Sequence, residues 1–284
     1  MEQTASRPRT RGRALALAVA ALCTAPALYA AEWEIEPRVG LGLTWLDNVA
    51  LAPSGLEESE TVTELRPGFN LVGQGQRLEA ELDYEAQGVW FSDRSDLDDW
   101  YQQVLGQANV ELIERNLFLD AYLRFDQENI DPSQSLADSN LYDTANRADT
   151  FVYALSPYYQ ARWGDWGESL VRLRHQGVRY SNFDDAAFDL EDASTNTLSL
   201  ALGSPRDRRG LSWRISGSTE TTEFDVAPDF AYDRAAVDVG VPVGLRTRIT
   251  ATAGQESNIE TDRSAGGLDE SFWSVGLEWQ PGAL

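Results

Sequence analysis

"LEAELDYEAQGVW", residues 78–90, decides how this chain folds. Leu78, Ala80, Leu82, Tyr84, Ala86, Gly88 and Trp90 occupy its even positions, and Glu79, Glu81, Asp83, Glu85 and Gln87 its odd ones. A period of two sets the first group on one face of a strand and the second on the other. The ionised face wants water. The apolar face needs a dry neighbour, either the interior of a soluble sandwich or lipid.

The alternation recurs along the chain. In "WEIEPRVGLGLTWL" (33–46) Trp33, Ile35, Val39, Leu41, Leu43 and Trp45 are in phase, and in "LFLDAYLRF" (117–125) Leu117, Leu119, Ala121, Leu123 and Phe125 are. "TVTELRPGFNLV" (61–72), "WYQQVLGQANVEL" (100–112) and "FVYALSPYYQARW" (151–163) follow suit. So do "ESLVRLRHQGVRY" (168–180) and five later segments, giving twelve expected strands. Within residues 168–180 the apolar phase switches from Val171 and Leu173 to Val178 and Tyr180, which predicts a β-bulge at Gly177. No segment keeps a helical period. The fold class is all-β, an antiparallel up-and-down sheet closed as a transmembrane β-barrel.

The connections choose lipid over the sandwich. Short turns at 73–76, 113–116, 164–167, 204–210 and 242–244 alternate with long segments at 47–59, 92–99, 127–148, 182–193, 225–231 and 257–270. Outer-membrane barrels have short periplasmic turns and long outer loops, whereas a sandwich has no reason to gather its long loops at one end. Trp45, Trp90, Trp100, Phe125 and Phe151 fall near the long loops and Trp33, Trp163 and Trp279 near the turns, as two aromatic girdles would. Pro67 and Pro157 interrupt strands and call for bulges or interface positions.

Residues 1–30 read as a cleaved secretory signal peptide: Arg7, Arg9, Arg11 and Arg13 precede an Ala/Leu-rich stretch ending in small residues. The barrel is expected to fill residues 31–284, in the outer membrane of a Gram-negative bacterium. The only cysteine, Cys23, falls in the leader, which excludes disulfides and thiolate metal sites from the remainder. Removing four arginines and one acid with the leader takes the net charge from −23 to −26. Nucleic acid is a poor partner for so acidic a chain.

"LTWLDNVALAPSGLEESETVTELRPGFNLVGQGQRLEAELDYEAQGVWF" (43–91) resembles the opening of the PEP-CTERM-system-associated outer-membrane β-barrel proteins. The matches are the loop Asp47, Asn48, Leu51, Ala52, Pro53, Ser54 and Gly55, the pair Pro67–Gly68, and "LDYEAQ". Weaker similarity lies in 156–180 and 271–281. The resemblance implies a porin-like barrel that accompanies exosortase and exopolysaccharide gene sets, and it carries no catalytic residues over. Relatives usually continue for several more strands, so this chain reads as a barrel of twelve strands or a shortened version of a larger one.

The polar face supplies the candidate site. Glu79, Glu81, Asp83 and Glu85 form an acidic row, and Arg172, Arg174, Arg246 and Arg248 two basic pairs. On opposed walls of a wet lumen these groups would line a pore and orient polar solutes; alternatively they pair across the interior and plug it. The expected partners are outer-membrane lipid and polysaccharide or export-system components. A closed structural barrel displaying acidic loops is the alternative function. A barrel hydrolase would depend on the single histidine, His175, which lacks a nucleophile elbow. No enzymatic activity, cofactor or metal is expected. Acidic clusters at Asp93, Asp96, Asp98 and Asp99, and at Asp184, Asp185, Asp189, Glu191 and Asp192, match no Ca²⁺-loop spacing and read as solvated loops.

Overall fold

In the computed structural model, residues 31–134, 136–183, 190–205, 210–244, 246–260 and 268–279 are described. Twelve strands run in chain order. They are β1 (Glu32–Leu46), β2 (Glu60–Gly75), β3 (Leu78–Phe91), β4 (Asp99–Ile113), β5 (Leu117–Asn129) and β6 (Arg147–Trp163). Then come β7 (Gly167–Ser181), β8 (Ala193–Gly203), β9 (Ser212–Phe224), β10 (Phe230–Pro242), β11 (Thr247–Glu260) and β12 (Leu268–Trp279). Each strand pairs antiparallel with its sequence neighbours in one sheet ordered β1 to β12. The only helix among the described residues is a single 3₁₀ turn, Ser95–Leu97. None is long and apolar enough to cross a membrane, which leaves strands free to do so.

The registers carry the alternation intact from strand to strand. Leu82 lies opposite Leu71 and Gly106, and Asp83 opposite Asn70 and Leu105, so each face is continuous across the sheet. All eight girdle aromatics fall on the apolar face, whose side chains stand largely free: Leu41 is 80% exposed, Leu43 74% and Trp273 79%. Among the described residues, nothing packs over this face of the single sheet layer. That rules out the dry interior of a sandwich and calls for lipid or a protein partner.

The sheet curls toward its polar face. Arg38 on β1 reaches over β2 to Asp83 on β3, Arg172 on β7 over β6 to Asp120 on β5, and Arg214 on β9 over β8 to Glu168 on β7. Such contacts between alternate strands suit a surface that is concave on the polar side. Glycines on the convex face let large rings lie flat on the backbone. A Cβ on Gly177 would come within 2.7 Å of the Tyr153 ring, and one on Gly73 within 2.5 Å of the Trp33 ring.

Three expectations need correcting. No bulge occurs at Gly177: the β6–β7 register is the same before and after it, and Val178 and Tyr180 belong to the polar face. The register irregularity sits instead between Glu111 and Ile113. Pro67 and Pro157 cause no bulge either; each only interrupts the pairing on one side, at Leu65–Gly68 and Leu155–Tyr158, without moving the register. Nor do short and long connections alternate throughout, because the 225–229 loop is shorter than the 204–211 turn.

Candidate functional site

The candidate site is the concave face. Three of the β3 acids, Glu81, Asp83 and Glu85, find donors on nearby strands. Arg38 Nη1 and Nη2 donate to the two Asp83 oxygens at 2.7 Å each, and its Nε lies 3.4 Å from Glu85. Gln107 Nε2 donates to Glu81 at 3.1 Å. Glu79 and Glu81 line a concavity of about 820 Å³ with Gln107, Asn109, Asp120 and Tyr122.

The arginines are distributed, which corrects the expectation of separate acidic and basic walls. Arg172 donates to Asp120 at 2.8 Å and lies 4.2 Å from the centre of the Tyr158 ring. Arg214 meets Glu168 at 3.0 Å and Arg234 meets Glu256 at 2.6 Å. Arg174 shares the concave face with Arg172 and stands exposed on it. Arg248 donates to Ser212 Oγ at 2.5 Å and to the Gly210 carbonyl at 3.1 Å, near the turn end. Arg246 lies outside the strands, exposed in the turn before β11, so it belongs to the rim. Carboxylates outnumber arginines on the concave face, so its field is negative although many acids are paired.

The loop side holds what sequence reasoning missed. Segment 130–146, between β5 and β6, folds back onto the sheet. Asn140 Nδ2 donates to Gln87 Oε1 at 3.0 Å and to Gln127 Oε1 at 3.3 Å. Leu141 joins Leu46, Val49, Val62, Val89 and Phe91 in a buried cluster on the concave side. The Asp143 amide donates to the Val49 carbonyl at 2.9 Å, tying this segment to the first loop. Arg94 adds an ion pair to Asp143 at 3.0 Å and another to Asp96 at 3.4 Å. The guanidinium holds the Asp96 carboxyl below its usual range. Inward-facing valines on β2 and β3, at odds with the polar neighbours on their face, were the available signal.

His175 sits on the convex face, opposite Leu155 on β6 and Asn196 on β8. One ring nitrogen lies 3.2 Å from Tyr153 Oη and the other 2.8 Å from Asn196 Oδ1. Among the described residues no group of three or more metal-ligating side chains converges. Asp184, Asp185 and Asp189 lie outside the described residues.

Comparison with solved structures finds outer membrane proteins. In-vitro folded OmpT, an outer membrane protein of Vibrio cholerae, aligns at 8% identity over 88% of this chain and 96% of its own, with a TM-score of 0.44. An outer membrane channel of Pseudomonas putida aligns at 14% identity over 88% and 94%, with a TM-score of 0.35. No family model matches the sequence, and no curated protein does. The expectation of a chain without enzymatic activity is withdrawn, because a fold by itself settles neither activity nor its absence.

Proposed function

We propose that this chain is an outer-membrane β-barrel of a Gram-negative bacterium, exported by its leader, that passes polar solutes and favours cations. One observation carries the reading: a single sheet exposes a largely apolar face outward and gathers most of its ionised groups inward. Lipid suits the first face and water the second. The excess of carboxylates over arginines around Glu79, Glu81, Asp83 and Glu85 supports the ion preference, because acidic linings attract cations. Arg172, Arg174 and Arg248 line the same passage, and Arg246 its turn-side rim. The similarity of 43–91 to PEP-CTERM-associated barrels makes exopolysaccharide or export-system components the natural cargo or partners.

A second reading draws on the loop side. Because segment 130–146 packs against the concave face through Asn140 and Leu141, the barrel also suits a stoppered scaffold that displays acidic loops. Planar-bilayer conductance of the refolded protein separates the two. Ion current with a cation-selective reversal potential supports the channel, and silence in every salt overturns it.

A further inference from the structure

Ten strands have partners on both sides; β1 and β12 have one each, so among the described residues the sheet has two free edges. A free edge in hydrocarbon exposes backbone N–H and C=O groups that neither water nor lipid can satisfy. The registers say where those groups find partners.

Followed across the sheet, the row beginning at Glu32, the first residue of β1, passes Glu79, Asp120 and Glu220 and ends at Leu268, the first residue of β12. Glu32 lies at the turn side and Leu268 at the loop side, so this row climbs the full height of a strand. For β12 to lie beside β1, Leu268 must come level with Thr44 or Leu46, an offset of twelve or fourteen residues from Glu32. In a closed barrel that offset is the shear. With about 3.3 Å per residue and about 4.8 Å between strands, it tilts twelve strands by about 35–39°, inside the roughly 35–45° that barrels adopt. Both offsets are even, so apolar positions meet apolar ones across the seam.

We propose that β12 pairs antiparallel with β1 of the same chain, closing a twelve-stranded barrel in which Val39 lies opposite Trp273 or Val275. The proposal rests on the membrane-spanning reading but not on conduction. The curl bends the sheet along its whole width: side chains bridge over β2, β6 and β8, and Arg248 on β11 bridges over β10 to Ser212 on β9. That curvature carries the two edges toward one another. One polypeptide also holds its own edges at a higher effective concentration than a second copy can supply.

Cysteine pairing tests this cleanly once Cys23→Ser removes the native thiol. Val39→Cys is combined with Trp273→Cys or with Val275→Cys, and the chain is folded in lipid vesicles and oxidised. Val237→Cys with Ala253→Cys, opposite each other on β10 and β11, is the folding control. The expected result is an intramolecular crosslink in one seam pair, read as a mobility shift at monomer mass on a non-reducing gel. Disulfide-linked dimers at the seam, or no seam product while the control crosslinks, overturn it. Conductance recorded on the same vesicles keeps the two claims apart: a crosslinked but silent barrel sinks the channel alone, and current without a seam crosslink sinks the closure alone.

Discussion

Arg38 grips both oxygens of Asp83 from two strands away, at 2.7 Å each, with Asp83 43% exposed. The pair marks the concave side as solvated, since charges so open to water cost little to place there. Leu82, one residue back, faces the other way. Leu82→Arg is therefore expected to destabilise the folded protein by about 2–4 kcal/mol, and Asp83→Asn by less than about 1 kcal/mol. Urea titration in lipid vesicles measures both. Equal losses at the two positions would reverse the assignment of faces.

Charge on the concave face sets the direction of ion preference. Arg174→Glu replaces a positive charge by a negative one where the side chain already stands exposed, and is expected to raise the cation-to-anion permeability ratio. Glu79→Gln combined with Glu81→Gln is expected to lower it. Reversal potentials across a salt gradient read both changes.

The folded-back loop narrows the loop side. Asn140→Ala removes two hydrogen bonds, each worth about 1 kcal/mol, and is expected to increase single-channel conductance and open-state noise. Leu141→Asp, which forces a charge into the apolar cluster, is expected to do so more strongly. Unchanged conductance in both variants would show that this segment stands clear of the ion path.

The same loops are tied by ionised groups. Asp96 is held low by Arg94, and Asp131 by the hydroxyl and amide of Ser133. A carboxylate whose folded pKa is depressed stabilises above its unfolded value and loses that contribution as pH falls through its lowered one. Loop protection is thus expected to be full at neutral pH and to fade below about pH 4. Limited proteolysis of the outer loops from pH 7 down to pH 3, with an acid-stable protease, tests the direction.

Gly177 offers a check on packing. Gly177→Val sets a branched side chain where the Tyr153 ring already lies within 2.7 Å of the Cβ position. The loss expected is about 1–3 kcal/mol. A neutral result would mean that the ring swings away freely.

Strand number and facing were legible because a membrane sheet has two solvents, and each side chain declares its own. Leu82 and Asp83 need no partner to be placed. Gly177 misled because Val178 and Tyr180 are apolar yet turn inward, where the concave side at the loop end is dry enough to hold Val62 and Val89 as well. Pairing was out of reach for another reason. Nothing local in Arg172 names Asp120, and nothing in Asn140 names Gln87 fifty-three positions earlier. Such choices depend on the registers of every strand between.

The strictly sequential strand order has a kinetic side. Every ladder in the sheet joins neighbours along the polypeptide, so each new hairpin can be zipped onto the growing ribbon after closing only a short loop. The seam alone must unite opposite ends of the chain. Annealing it is the step with the greatest entropic barrier, and the one at which assembly would stall.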